Sequence, residues 1–558
     1  MAEQERTTER TFLSGVFALT LSTVSVKILG LLYKIPMLSY LGAEGMGYFQ
    51  SAYEIYALFC VISTAGLPVA LSVLISASLA RGDRGGAGRI FRTALGVFLL
   101  IGFAGSGMMA AMAPVFCRLI RSENAYGCIL AISPTVFLIC LSSAIRGYFQ
   151  GYQKMAQTAV SQLIEAVGKL AFGLLLAELA VRRGYGTPEV AAAAGVGLTL
   201  GTLVSAVYLI AEKLRFRPEQ GEEPVSSSGG KGILRQLAKM AVPLTLGASA
   251  VSLGKLIDMA MILRRLQAVG YGEIAANEAY GSYTTLALSV YALVPTLINS
   301  VALPLIPLLS SAIAAGERER QEKLIRASYH LTALVAMPAS LGISMFARPI
   351  LSLLFGGEPE AVDAAAPLLA VLGVSVFLSC MITATNSVLH AYRSVNLPIL
   401  SLLAGTAVKV LAAYFLIGNR TVGIMGAPVS TFLCNAMVVG LNLAFCARLC
   451  RVKGLGGVFA KPLIASGLTV GLCGICYRLL LGAVGESRLL TLGMLGACVV
   501  LYVVFGCLTG CVTEEDLSVL SGGDKICRIL VACHLLPRRE KGERDDGRGE
   551  KTVGEKQV

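Results

Sequence analysis

The stretch "IRGYFQGYQKM" occupies Ile145–Met155. It follows about twenty residues without a formal charge, the length of one helical membrane crossing. Its glycines, aromatics and cations end that run abruptly. The same alternation of long apolar run and short polar break repeats along most of the chain. Of the 558 residues, 55% are hydrophobic and 15% are charged, and the mean hydropathy is +0.72. A soluble domain carries about 25% charge. The chain therefore reads as an all-α polytopic membrane protein.

Fourteen apolar runs are long enough to cross as helices, near 12–34, 48–78, 90–116, 126–149, 157–180, 188–212, 239–263, 281–312, 327–354, 364–391, 396–417, 422–447, 460–481 and 489–511. The first carries Lys27 in its middle and has no small-residue cleavage site, so it is a span and not a removed signal. An even number of spans puts both termini on one side. The breaks after even-numbered spans hold roughly twice as many Lys and Arg as those after odd-numbered ones. The positive-inside rule then places both termini in the cytoplasm. The net charge of +13 is topological in this reading, and no compact basic domain exists to bind nucleic acid.

The break at 213–238 is the longest, Ser/Gly-rich and charged, and separates spans one to six (1–212) from spans seven to twelve (239–450). Residues 451–511 add two spans, and 512–558 form a polar tail expected to be disordered. The two halves echo each other. "ISASLARGD" (Ile75–Asp83) closes span two and "LSSAIAAGE" (Leu309–Glu317) closes span eight. "STVSVKIL" (Ser22–Leu29) and "SAVSLGKLI" (Ser249–Ile257) match with one insertion. Repeats six spans apart keep one orientation, so the expected fold is two six-helix lobes related by a pseudo-twofold along the membrane normal, plus two C-terminal helices. Prolines and glycines interrupt spans two and eight, corresponding members of the two lobes, as helices bent around a cavity would require.

Intramembrane charges cost roughly 2.5–3.5 kcal/mol each by insertion scales and are candidate functional residues. They are Lys27 in span one, Glu54 in span two, Glu165 and Lys169 in span five, Lys255 and Asp258 in span seven, and Lys409 in span eleven. Lys34 and Arg146 lie near span ends. Glu165 and Lys169, four apart, have helical ion-pair spacing, and Lys255 with Asp258, three apart, allows another. Lys27 and Lys409 have no acid within their own helices. The interior excess is basic, which suits a phosphate or diphosphate group. An ion-coupled exporter would instead rely on Glu54, Asp258 and Glu165. His330, His390 and His534 are too scattered to argue a metal or a catalytic dyad, so no enzyme, metal or cofactor is expected.

At this point a resemblance enters. "STAGLPVALSVLISASLARGD" (Ser63–Asp83), "RGYFQGYQKMAQTAVSQLIEAVGKL" (Arg146–Leu170) and "VKILGLLYKIPMLSYLGAEGMGYFQ" (Val26–Gln50) resemble the stage V sporulation protein B/polysaccharide transporter family. That family includes MurJ-like lipid II flippases and belongs to the multidrug/oligosaccharidyl-lipid/polysaccharide exporter superfamily, whose fold is MATE-like. The resemblance covers spans one to twelve. It implies alternating access and transport of an undecaprenyl-diphosphate-linked saccharide, lipid II or a related cell-wall, spore-envelope or capsule precursor. Lys27 in "VKILG" stands where the MurJ-type members carry a span-one cation. The substrate-facing set is then Lys27, Lys34, Lys255, Lys409 and Arg146, with Glu54, Asp258 and Glu165 as cavity or ion-coupling acids. The expected partners are the polyprenyl-linked saccharide, membrane lipid and, for an antiporter of the same fold, H⁺ or Na⁺. A monomer is expected. At the cytoplasmic end of span four, Tyr148, Phe149 and Tyr152 would sit at the interface, and Arg146 and Lys154 would meet lipid or substrate phosphates.

Overall fold

In hydrocarbon every backbone amide must find its partner within the protein, so long apolar runs have one economical conformation, the α-helix. The computed structural model describes residues 2–216, 230–302, 305–394, 396–450, 456–485 and 487–512, and these contain helices and turns but no strand. The first lobe runs α1 (Ala2–Thr64), α2 (Leu67–Ala80), α3 (Arg84–Ala111), α4 (Ala113–Ile120), α5 (Tyr126–Gly151), α6 (Met155–Arg182) and α7 (Thr187–Arg215). The second runs α8 (Gly230–Ala268), α9 (Glu273–Gly281), a π-helical turn (Ser282–Ala287), α10 (Leu288–Tyr291), α11 (Leu293–Ala302), α12 (Leu305–Ala314), α13 (Arg318–Met345), α14 (Ala347–Phe355), α15 (Pro359–Ala391), α16 (Asn396–Ile417) and α17 (Gly426–Cys450). Two further helices follow, α18 (Gly456–Val484) and α19 (Arg488–Leu508).

Eleven helices among the described residues are long and apolar enough to cross a membrane, and the pair α13–α14, bent by 80°, makes a twelfth. The stretch Leu29–Ala80 counts once in that number, although Gly42 breaks α1 with φ 63° and ψ 179°. Helix α6, which carries Glu165, Lys169 and Glu178, is not among them. Taking α6 as a span and the Gly42 break as a turn between two crossings is consistent with fourteen spans. Helices α7 and α8 extend into the stretch expected to link the lobes. Residues 217–229 of that stretch and 513–558 of the expected tail lie outside the described residues.

The repeat is visible in the turns. Gly82 and Gly316 both take positive φ, 78° and 71°, the left-handed conformation glycine adopts most cheaply. After them Asp83 N–H donates to the Ser78 carbonyl and Glu317 N–H to the Ala312 carbonyl, at 3.0 and 3.1 Å. A second pair of turns matches as closely. Gln153 and Arg393 have φ of 57° and 58°. Lys154 N–H reaches the Phe149 carbonyl at 2.8 Å, and Ser394 N–H reaches that of Leu389 at 3.0 Å. The broken spans are also matched: span two interrupts between α1 and α2, with Pro68 in the first turn of α2, and span eight passes through the π-helical turn and three short helices.

The opening stretch now has its structural account. A side chain at Gly147 would strike the Pro68 carbonyl oxygen at 2.9 Å, and one at Gly151 would strike Ile75, so these glycines let α5 lie against α2. Tyr148 and Phe149 are not interfacial, as the sequence suggested; they are 2% and 0% exposed. They pack with Phe91, Tyr152 and Phe216 where α3, α5 and α7 meet. Lys213 and Lys154 cap this cluster, lying 3.9 Å from the Tyr148 ring centre and 4.2 Å from that of Phe216.

Candidate functional site

Lysines at the middle of apolar helices must find either counterions or a wet space. Lys169 and Lys409 find carboxylates, and Lys34 finds a hydroxyl and a carbonyl. Each makes a polar contact with another residue of the protein. None is fully covered, with Lys34 half-buried and the side chains of Lys169 and Lys409 keeping 24% and 23% of their surface accessible. Tyr53 is accessible too, 37% exposed and within electrostatic reach of Lys169 and Glu54.

In the first lobe the charges form one buried network. The Arg146 guanidinium on α5 meets the Glu165 carboxylate on α6 at 2.7 Å, and the Lys169 ammonium meets the other oxygen at 2.6 Å. Arg146 also donates to the hydroxyls of Ser161 at 2.9 Å and of Ser205, on α7, at 3.2 Å. Ser205 in turn donates to the Ser161 carbonyl at 2.8 Å. Glu165 thus has its expected partner Lys169, plus Arg146. The position expected for Arg146, at the membrane surface facing phosphates, is corrected: its side chain is 11% exposed and turned into the helix bundle. Close contact makes this network possible, since a side chain at Gly201 would strike the Lys169 backbone nitrogen at 2.3 Å and one at Gly197 would strike Gly173 at 2.4 Å.

In the second lobe the expected local pair of Lys255 with Asp258 does not form. Asp258 on α8 instead accepts from Lys409 on α16 at 2.7 Å, and Lys255 is exposed. The cross-helix contact was hidden in the sequence because the two residues are 151 apart along the chain. Tyr283 lies within electrostatic reach of this pair, and Tyr280 is close enough to feel both Asp258 and Glu54.

Between the lobes, the Lys34 ammonium on α1 reaches the Ser289 hydroxyl at 2.9 Å and the Thr284 carbonyl at 3.4 Å. Thr284 belongs to the π-helical turn, a distortion that recurs at functional sites. Glu54 accepts from Gln50 at 3.0 Å and lies within electrostatic reach of Lys34. The side chain of Lys27 lies outside the described residues. Sequence reasoning missed Tyr53, Tyr280 and Ser289. The Phe49–Tyr53–Tyr56 helical spacing was a readable signal for the first; nothing local marks the other two.

The lobes touch where the α3–α5 connection meets α8 and α9. Glu273, in the first turn of α9, accepts from the Asn124 N–H at 3.0 Å. Asn277 donates to the Ser122 hydroxyl at 3.1 Å, and Gln267 to the Arg121 carbonyl at 2.7 Å. A side chain at Gly47 would strike the Asn277 carbonyl oxygen at 2.1 Å, and one at Gly281 that of Ala43 at 1.9 Å. These two glycines let α1 and α9 meet backbone to backbone.

The family profile described as "Polysaccharide biosynthesis protein" matches residues 12–313, and the MatE profile matches 243–415. The lipid II flippase MurJ of Bacillus subtilis (strain 168) is 26% identical over 71% of this chain and 76% of its own. The stage V sporulation protein B of the same organism is 24% identical over 80% and 85%. The fold is that of a solved lipid II flippase MurJ in an inward closed conformation, with TM-score 0.66, 14% identity, and coverage of 88% of this chain and 98% of that one. The chain is a multi-pass membrane transporter and no enzyme: with a profile match over more than half its length, it belongs to the polysaccharide biosynthesis protein family.

Proposed function

We propose that the protein is a flippase for an undecaprenyl-diphosphate-linked saccharide, lipid II or a related envelope precursor, in the bacterial cytoplasmic membrane. The observation that carries this reading is Lys34. It is enclosed between the lobes and held only by neutral oxygens, so its charge is not cancelled by direct ion pairing. A diphosphate offers that ammonium charge-assisted hydrogen bonds stronger than those of a hydroxyl and a carbonyl. Lys169 and Lys409 present accessible edges to the same interior, and Lys27 and Lys255 belong to the proposed cation set. Arg146 acts at one remove, by holding the Glu165 carboxylate that positions Lys169.

The headgroup enters this basic space from the inner leaflet while the polyprenyl tail stays in the bilayer. Both termini are cytoplasmic, which puts the Glu273–Asn124 contact on the outer side. That contact closes the outer path, and its release as the lobes rock exposes the headgroup to the other face. No covalent step is needed, and the protein acts as a monomer. The boundaries 1–212, 239–450 and 451–511 are the proposed lobes and C-terminal pair.

The rival is an H⁺- or Na⁺-coupled antiporter, favoured by the MatE match over 243–415. It would use Glu54, Asp258 and Glu165. Two of these are already neutralised by cations, Asp258 by Lys409 and Glu165 by Arg146 and Lys169, so ion exchange there would first have to break an ion pair. The deciding experiment is transport in proteoliposomes with wild type, Lys34→Gln and Lys27→Ala. Movement of a polyprenyl-diphosphate saccharide, lost in Lys34→Gln, is the expected result. Exchange of an organic cation for protons or Na⁺, with no lipid movement, would overturn it.

A further inference from the structure

Lysines account for a diphosphate but leave the sugar without a partner. A pyranose presents hydroxyls at its edge and a patch of C–H bonds on its face. That face is matched by an aromatic ring, and the edge by planar polar side chains. One interior residue has this setting. Tyr53 lies in the second half of α1, 37% exposed and within electrostatic reach of Lys169 on α6. Core tyrosines in this chain are covered, with Tyr48 0% and Tyr148 2% exposed. The accessible face of Tyr53 is therefore not used in core packing, and it lies beside the charges carried by α1 and α6.

The ring is held in place. It stacks on Phe49 with centroids 6.5 Å apart and planes 21° apart, and Tyr56 lies against it at 5.6 Å. Phe49 is itself buttressed by Tyr33 at 6.3 Å. The Tyr53 hydroxyl makes no protein hydrogen bond among the described residues. Lys169 and Glu54 lie within electrostatic reach, and Gln50 is fixed on Glu54 at 3.0 Å, supplying a planar amide and a carboxylate for hydroxyl groups. We propose that Tyr53 is the stacking platform for a pyranose ring of the transported saccharide, so that it discriminates sugar-bearing from bare polyprenyl diphosphate. This rests on the lipid-linked saccharide reading above.

The chain has no tryptophan, so Tyr53→Trp installs a single indole at the proposed platform. The full chain in nanodiscs is titrated with a polyprenyl-diphosphate disaccharide and with polyprenyl diphosphate lacking sugar. The expected result is an emission change with the first lipid and none with the second. Tyr53→Phe, which keeps the ring, binds both lipids within about twofold of wild type, whereas Tyr53→Leu loses roughly tenfold for the sugar-bearing lipid alone. Equal losses for the two lipids, or no emission response to the saccharide, would overturn the platform. If Tyr53→Leu does not fold, the Phe and Trp variants still decide the matter. Wild type binding neither lipid would instead sink the flippase reading itself.

Discussion

The fifth helix of each lobe carries a lysine at the same place, and the two lobes neutralise it differently. At one constant offset, Tyr152 corresponds to Tyr392, Ser161 to Ser401, Lys169 to Lys409 and Pro188 to Pro428. Glu165 in the first lobe then corresponds to Gly405 in the second. By the match of the two lysines Lys27 and Lys255, Asp258 in the second corresponds to Gly30 in the first. Carboxylate and glycine have exchanged places. Lys169 is paired within its own helix, while Lys409 is paired across to α8. The position of Arg146 is Asn386 in the second lobe, where Asn442 bridges to it at 2.9 Å and to Thr385 at 3.0 Å. A charged three-helix network in one lobe is thus replaced by a neutral amide network in the other. The difference teaches that the repeat preserves the cation and leaves its counterion free to move. It also ties α8 to its lobe by charge, and leaves Gly30, the matching place in α1, without such a tie.

The comparison can be broken by experiment. The largest effect is expected for Glu165→Ala, which strands the buried Arg146 as well as the partly accessible Lys169 and should cost about 3–5 kcal/mol, read as thermal stability in detergent. A loss no larger than that of an ordinary surface substitution would deny the network its structural role. Asp258→Ala strands only Lys409, whose edge is accessible, and about 2 kcal/mol is expected in the same assay. If it costs as much as Glu165→Ala, the two lobes are not different in the way described. The smallest and sharpest test moves the carboxylate between the lobe patterns. A side chain at Gly30 would meet no atom within 4 Å, so Gly30→Asp has room. Added to Glu165→Gln it should recover on the order of 1 kcal/mol if position 30 can serve Lys169 as position 258 serves Lys409. No recovery would mean that the correspondence does not extend to the counterion.

The sequence carried the fold well because hydrophobic runs, turn glycines and the basic asymmetry of the breaks are local signals. "LARGD" and "AIAAGE" fold into the same turn because glycine and the following acid sit at the same step. The Glu165–Lys169 pair was legible for the same reason, being one helical turn apart. Contacts between distant helices were not. Lys409 looked isolated because its acid is on α8, and Arg146 looked interfacial because Glu165 and Ser205 reach it from two other helices. The π-helical turn that meets Lys34 has no sequence mark beyond its hydroxyl-rich "SYTTLA". Single-helix periodicity describes which residues share a face and says little about which face meets another.

The central claim is that this interior recognises an anionic headgroup through lysine. The most direct measurement is equilibrium binding of polyprenyl diphosphate and of uncharged polyprenol to wild type and Lys34→Gln in nanodiscs. The account predicts that wild type prefers the diphosphate and that Lys34→Gln weakens it roughly 10- to 100-fold while leaving polyprenol unchanged, as loss of one charge-assisted hydrogen bond implies. Equal affinity of wild type for the charged and uncharged lipids, or an unchanged preference in Lys34→Gln, would contradict it.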